Sequence, residues 1–204
     1  MIMPTNEPET FCPDSPADWR AWLQAHHETR QSIWLIYHKK HTGVPSLTWS
    51  QAVDEALCFG WIDSQAKPID ADKYMQFFCR RKPGSAWSKV NKEKITRLTA
   101  AGLMAPAGLA RIETAKQNGS WTLLDEVEAL VIPPDLAAAL HARPGASGFF
   151  DSLSKTDKRN ILQWLVLAKR PETRQKRITE IAELAGQQLK PKQFGGRKAA
   201  ELLL

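Results

Sequence analysis

With 204 residues, of which 43% are hydrophobic and 25% charged, the chain can bury a core and has the composition of an ordinary globular protein. No apolar run reaches about eighteen residues, and the first residues lack the features of a signal peptide, so we expect a cytoplasmic protein without membrane insertion. The cysteines, Cys12, Cys58 and Cys79, are odd in number and widely spaced, which argues against a disulfide framework and a zinc ribbon.

Positive charge is concentrated in blocks along the chain. Residues 80–97 contain seven cations and one anion, so their net charge of +6 equals that of the whole chain, and residues 155–204 carry +7. This asymmetry permits an anionic small molecule, an acidic protein or a nucleic acid as partner. The alternative interpretation is a solvated basic face that aids solubility, and the sequence does not indicate an oligomeric state.

The N-terminal region predicts a flexible arm followed by a helix. Residues 1–13 are polar and contain prolines, which is typical of an arm. Ser15 then has the side chain of an N-cap, and Pro16 suits the first helical position. Bulky side chains recur at helical spacing after it and are predicted to pack on a core: Trp19, Trp22, Leu23 and His26.

A strand, a helix and two further strands are predicted next. Residues 32–39 are rich in β-branched and aromatic side chains, which predicts a central strand covered on both faces. Thr48 and Gln51 have the pattern of a capping box, so a second helix begins here with its apolar stripe, Trp49 included, facing inward. Gly60 suits the left-handed residue that ends this helix. Strands are then predicted over residues 61–65 and 74–81.

The second half of the chain is predicted to be helical. Caps and prolines place helices over residues 88–102 and 106–118, after Pro134, within residues 145–153, after Ser154, and from Pro171 to Gly186. We therefore predict an α+β fold, with a small N-terminal α/β sheet layer followed by a helical C-terminal half. The predicted organisation is a flexible arm over 1–13, a sheet unit over 14–87, a helical unit over 88–186 packed on it, and a poorly ordered tail over 187–204.

Two long motifs resemble the YdeI/OmpD-associated family, whose members are also called bacteriocin-protection proteins. They are EALCFGWIDS over residues 55–64 and RRKPGSAWSKVN over residues 80–91. The similarity extends from Trp19 to Leu184. Shorter segments also fit the same family, namely residues 33–35, 39–40, 152–154 and 169–174. The resemblance implies bacteriocin protection and stress resistance, with an association with an outer-membrane porin. It implies no particular reaction and no catalytic residue.

The basic segment from Arg80 to Lys94 is the candidate binding site. The backbone N–H groups of a helix that starts after Ser88 can hold a phosphate or carboxylate, and Lys89 in its first turn opposes the helix dipole unless an anion is bound. The same segment also fits a nucleic-acid-binding module in which a base stacks on Trp87. The plainer alternative makes Ser88 an ordinary cap and Trp87 a core residue. The candidate ligand-binding residues are Asp63, Arg80, Arg81, Lys82, Ser85, Trp87, Ser88 and Lys89.

Other chemistry has weaker support in the sequence. Asp63 pairs with Arg80 or Arg81 if the two strands meet, which fits either an enzyme with a carboxylate–arginine site or a structural ion pair. Cys58 precedes a helix C-terminus, whose partial negative charge disfavours a thiolate. No metal-binding or nucleotide-binding motif occurs, so we expect no metal and no cofactor. We favour a non-enzymatic protein.

Overall fold

A computed structural model of the chain describes residues 9–195. The chain divides into two units, Met1–Trp121 and Thr122–Leu204. Within the described residues, all strands belong to the first unit and the second unit is helical, so the predicted α+β class is confirmed. The division follows Trp121, whereas the sequence prediction divided the chain between residues 87 and 88; the two helices after that point belong to the first unit.

The sheet of the first unit has the strand order β1-β2-β4-β3. Strand β1 pairs in parallel with β2, and the other two pairs are antiparallel. The short strand β1 lies in the region predicted as a flexible arm; its pairing with β2 gives this segment a fixed position, and residues 1–8 lie outside the described residues. The strands are β1 (Thr10–Phe11), β2 (Ser32–His38), β3 (Trp61–Pro68) and β4 (Lys73–Arg80).

Between residues 9 and 121, four α-helices accompany this sheet. Capping boxes at Ser15 and Thr48 begin the first two helices, as predicted. The core is dominated by aromatic and aliphatic side chains without solvent exposure, among them Trp19 and Leu57. Trp49 is an exception to the predicted stripe: it is 48% exposed, because it stands at the very start of its helix. The helices are α1 (Pro16–His26), α2 (Trp49–Cys58), α3 (Lys89–Ala100) and α4 (Pro106–Gln117).

Two glycines allow α4 to approach the end of α2 closely. A Cβ atom at Gly108 would lie 2.2 Å from the carbonyl oxygen of Cys58, which no side chain tolerates. Gly60 has the predicted left-handed backbone, with φ of +73°, and a Cβ there would lie 2.6 Å from Cγ of Arg111. This packing places Arg111 beside the turn that joins α2 to β3.

The second unit contains five helices among its described residues. Its core is formed by apolar side chains on α6 to α9, including Phe150 and Leu165. Part of the predicted poorly ordered tail makes contacts: Lys190 Nζ lies 2.8 Å from Oδ2 of Asp157, and Phe194 packs edge-on against Trp164. Residues 196–204 of that tail lie outside the described residues. The helices are α5 (Asp125–Glu128), α6 (Pro134–His141), α7 (Ala146–Ser152), α8 (Lys155–Val166) and α9 (Pro171–Gly186).

None of the helices between residues 9 and 195 has the length and apolar character needed to cross a membrane.

Candidate functional site

A groove in the first unit contains the first residue of the predicted basic segment. It has a volume of about 230 Å³ and lies between the α1 end, the α2–β3 turn, the end of β4 and helix α4. Arg80 lines it as the last residue of β4, and Arg111 lines it from α4. We call it the arginine groove; its walls also include His27, Gly60, Trp61 and Thr114.

The guanidinium group of Arg80 is shielded from solvent but incompletely hydrogen-bonded. Its Nε and Nη2 atoms are buried and have no hydrogen-bond partner among the described residues. Neither Arg80 nor Arg111 forms an ion pair with a described carboxylate, and Glu28, the acidic residue in the lining, is exposed with its Oε1 3.7 Å from Nε2 of His27. Nε and Nη2 have almost no accessible surface, so an acceptor from outside the chain can reach this guanidinium group only through the side that lines the groove.

Arg81, the next residue, is held inside the unit. It is 4% exposed, its guanidinium carbon lies 3.7 Å from the centre of the Trp87 ring, and its Nη2 donates to the carbonyl oxygen of Ala86 at 2.5 Å. Burial lowers the pKa of Arg81 to about 10, with smaller opposing effects from Cys79 and Asp63. The Arg81–Trp87 pair is therefore a cation–π contact within the fold.

Trp87 is a core residue, which corrects its interpretation as a ligand-stacking surface. It is 2% exposed and its ring lies 5.1 Å from that of Trp121. Ser88 acts as the N-cap of α3, its Oγ accepting from the backbone N–H of Asn91 at 3.3 Å. Both observations agree with the plainer alternative weighed for these residues.

The remaining residues of the predicted basic site form the turn into α3. Lys82 is exposed, and the backbone N–H of Ser85 donates to the carbonyl oxygen of Lys82 at 3.0 Å. Lys89 is exposed as the first residue of α3. None of the three lines the arginine groove, so the structure brings only Arg80 of the predicted set into it.

Asp63 lies in a different environment from the one predicted. Its Oδ2 accepts hydrogen bonds from Nε1 of Trp49 at 2.8 Å and from Nε2 of Gln76 at 3.0 Å. Among the described residues it forms no ion pair with Arg80 or Arg81, because the neighbour opposite Arg80 in the sheet is Trp61. The predicted carboxylate–arginine pair is therefore not formed.

The thiol of Cys58 is buried near Arg20 and Glu55. Burial is the largest cause that raises its pKa, although a hydrogen bond with Arg20 acts in the opposite direction. Between residues 9 and 195, no group of three or more histidine, cysteine or carboxylate side chains could hold a metal ion.

Several residues that shape these sites carried no signal in the sequence. Arg111 lies in α4, beyond the basic segment, and only the close approach of α4 to Gly60 brings it to Arg80. Trp49 and Gln76 reach Asp63 through tertiary contacts, and neither side chain belongs to a recognisable motif.

A comparison with protein families finds a match within the second unit and another within the first. Residues 129–188 match the family described as "Bacteriocin-protection, YdeI or OmpD-Associated", which confirms the resemblance predicted from the sequence. Residues 11–111 match a second family, a domain of unknown function called DUF8412. No curated protein and no solved structure matches the chain. The motifs at residues 55–64 and 80–91 lie within the residues that match DUF8412 and outside those that match the YdeI/OmpD-associated family.

Proposed function

We propose that this chain is a cytoplasmic bacteriocin-protection or stress-resistance protein of the YdeI/OmpD-associated type that binds a small anion in the arginine groove without catalysing a reaction. The family match over residues 129–188 supports the first part of this proposal. The anion part depends on one observation: Arg80 and Arg111 line the same groove, and neither forms an ion pair with a described carboxylate.

An oxyanion satisfies the chemistry of this groove. A guanidinium group donates through a planar fork that matches two oxygens of a phosphate or carboxylate, and charge-assisted hydrogen bonds of this kind are the stronger ones. Arg111 adds a second positive charge at the same groove. An anion bound between them would interact with both positive charges, and because it binds only the folded chain it would stabilise the fold.

The volume of the groove sets the size of the ligand. At about 230 Å³ it is smaller than the roughly 300–1,000 Å³ of pockets that enclose drug-sized molecules. It suits inorganic phosphate, sulfate or a single phosphate or carboxylate group of a larger molecule. The enclosed Trp87 and the Asp63 contacts with Trp49 and Gln76 leave no observation that favours the nucleic-acid or enzyme alternatives.

Anion binding can be followed at Trp61, which lines the groove. Titration with inorganic phosphate at constant ionic strength should give a saturable shift of the Trp61 indole N–H signal in the nuclear magnetic resonance spectrum. Arg80→Ala should weaken binding by about tenfold or more, because it removes charge-assisted hydrogen bonds. Lys82→Ala is the matched control: it removes an exposed cation two residues away and should leave the affinity unchanged. An unaltered response in Arg80→Ala would contradict the anion site.

The protective role is tested in cells. A strain that lacks the protein should survive bacteriocin treatment less well than one that expresses it, and expression of the wild-type chain should restore survival. If anion binding serves this role, Arg80→Ala should restore it poorly while Lys82→Ala restores it fully, at equal protein levels on an immunoblot. Equal survival with and without the protein would contradict the protective role but not the anion site.

A further inference from the structure

A groove of the second unit lies between helix α8 and the segment that follows α9. Its volume is about 280 Å³, and all its described lining residues are uncharged: Asn160, Gln163, Trp164, Leu167, Gln193 and Phe194. Asn160, Leu167 and Gln193 are exposed, so a solute can reach the groove from solvent. We call it the amide groove.

One wall of the amide groove is a face of α8. Asn160, Gln163, Trp164 and Leu167 follow the i, i+3, i+4, i+7 pattern, which places them on the same side of the helix, with Leu167 at its C-terminal cap. The core of the second unit is contacted by other residues of α8, such as Leu165. The wall is therefore a polar and aromatic stripe that the packing of the unit does not use.

The opposite wall is attached to both neighbouring helices. Lys190 forms the ion pair with α8 described above, and the backbone N–H of Lys192 donates to Oε1 of Glu180 on α9 at 3.1 Å. A turn follows in which the backbone N–H of Phe194 donates to the carbonyl oxygen of Pro191 at 2.8 Å. These contacts hold the wall in place before a ligand binds, which lowers the entropic cost of binding.

Aromatic rings form the apolar part of the amide groove. The guanidinium carbon of Arg177 lies 4.7 Å from the centre of the Trp164 ring, and its Nη1 donates to the carbonyl oxygen of Trp164, so this residue is fixed at both its ring and its backbone. The ring of Phe194 stands at 84° to that of Trp164, with 6.0 Å between ring centres. Together the two rings form a rigid apolar corner.

The polar groups of the amide groove have no partner in the described chain. The side-chain amides of Asn160, Gln163 and Gln193 form no hydrogen bond with a described residue, and neither does the indole N–H of Trp164. A side-chain amide both donates and accepts hydrogen bonds. The described lining contains no charge, although residues 155–204 carry +7. A neutral ligand with donors, acceptors and an apolar face therefore complements the groove.

We propose that the amide groove binds a neutral sugar ring, such as a hexopyranose. The C–H groups of a pyranose pack on the Trp164 and Phe194 rings, and its hydroxyl groups, which donate and accept, pair with the three amides. The groove is slightly smaller than the roughly 300–1,000 Å³ of pockets that enclose drug-sized molecules, so it holds one sugar ring.

The angle between the two aromatic rings favours a sugar over a nucleobase. A flat base has its largest contact with parallel rings, whereas a puckered pyranose has C–H groups in two directions and can contact both sides of a corner. A nucleotide also needs a cation for its phosphate, and none stands among the described lining residues. The amide groove thus differs in chemistry from the arginine groove.

The test titrates the complete chain with the methyl glycosides of glucose, galactose and mannose and with N-acetylglucosamine. At least one of these sugars should give saturable shifts of the Trp164 indole N–H and the Gln193 side-chain amide in the nuclear magnetic resonance spectrum. Because a sugar is neutral, its affinity should be the same at low and high ionic strength. Adenosine and N-acetyl-leucinamide, which are also neutral, should bind more weakly.

Substitutions separate the polar from the aromatic contribution. Gln163→Met keeps the length of the side chain but removes its hydrogen bonds, and should weaken sugar binding by about threefold to tenfold. Trp164→Leu should weaken it by about tenfold, followed at Gln193. Gln175→Met is the matched control, because Gln175 is exposed on α9 outside this groove, and should leave the affinity unchanged. Arg80→Ala should also leave it unchanged, so the two grooves are tested independently.

Three results would overturn this proposal: no saturable shift with any of the four sugars, an equal or stronger response to adenosine or N-acetyl-leucinamide, or an unchanged sugar affinity in Gln163→Met and Trp164→Leu. The second result assigns the groove to a nucleobase or a peptide instead. If Trp164→Leu does not fold, Gln163→Met decides, since its amide has no partner in the described chain; unchanged sugar affinity in that folded variant contradicts the site.

Discussion

Arg80 and Arg81 are adjacent in the chain, yet their guanidinium groups have different surroundings. Arg81 stacks on Trp87 and is satisfied in part by the carbonyl oxygen of Ala86, whereas Arg80 lines the arginine groove with two unsatisfied nitrogens. Successive side chains of a strand point to opposite faces, which accounts for this separation at the end of β4. The function proposed for the basic segment therefore depends on one of its six cations, together with Arg111 from a different element.

The sequence identified the charge of this region but not which side chains face a ligand. The sequence does not indicate which of Arg80, Arg81 and Lys82 binds a ligand, because all three are cations in one motif. Their different surroundings result from the packing of Trp87 and α4. Asp63 was correctly placed in a strand beside β4, but its partners depend on a bulge that no alternation of residue types indicates. In both cases the surroundings of the side chain are determined by tertiary contacts rather than by local propensity.

A partly exposed, bidentate ion pair gives a prediction at the residue scale for the second unit. Arg174 donates to both carboxylate oxygens of Asp135, at 2.7 and 2.9 Å, and these bonds are the largest cause that lowers the pKa of Asp135 below its usual 3.8. A carboxyl group with a lowered pKa stabilises the fold above its unfolded pKa, and this contribution disappears as the pH falls through the folded value. Asp135→Asn should therefore be destabilised relative to wild type at pH 7, with a difference that shrinks below pH 3.8.

Urea unfolding at a series of pH values measures this difference. The matched control is Asp151→Asn, because Asp151 is exposed and its side chain forms no ion pair with the described residues. The control should show no such pH dependence. A difference for Asp135→Asn that stayed constant between pH 7 and pH 3 would mean that the ion pair does not contribute through its charge.

Among the elements, the contact between α2 and α4 has the most influence on the candidate site. Gly108 lies against the carbonyl group of Cys58, and Arg111 follows one turn later on the same helix. The local signals predicted these elements well: Thr48 and Gln51 form the predicted capping box, and Pro106 begins α4. Strand β1 was missed because two residues give no periodicity, and its pairing with β2 is a tertiary event.

The contact between α2 and α4 predicts that even alanine at Gly108 lowers the free energy of unfolding. In Gly108→Ala the new Cβ would lie 2.2 Å from the oxygen of Cys58, which is backbone and cannot rotate away, so α4 must move. The free energy of unfolding should fall by about 1–3 kcal/mol, which is typical of overpacking. Phosphate affinity should fall as well, because Arg111 moves with its helix.

Gly148→Ala is the control for this substitution. Gly148 lies within α7, and nothing within 4 Å would meet its Cβ. Alanine there should stabilise the fold by about 0.5–1 kcal/mol, since it restricts the unfolded chain and favours a helix. Denaturant unfolding of both variants separates the two effects; equal changes in stability would show that the α2–α4 contact is more adaptable than its distances indicate.

At the scale of the whole molecule, family and candidate site belong to different units. The YdeI/OmpD-associated match covers residues 129–188 in the second unit, whereas the arginine groove is formed by residues of the first. Both halves of the predicted fold class are present, a sheet followed by helices. The basic block over residues 80–97 lies within the first unit, and the block over residues 155–204 lies within the second.

The arginine groove is the central claim, and anomalous diffraction tests it most directly. Crystals grown without phosphate or sulfate and soaked in selenate should show an anomalous peak in the arginine groove, beside the guanidinium groups of Arg80 and Arg111. Arg80→Ala crystals, treated in the same way, should lack this peak while any selenate on the exposed surface remains. An empty groove in wild-type crystals that hold selenate elsewhere would contradict the account, as would a groove peak that persists in Arg80→Ala.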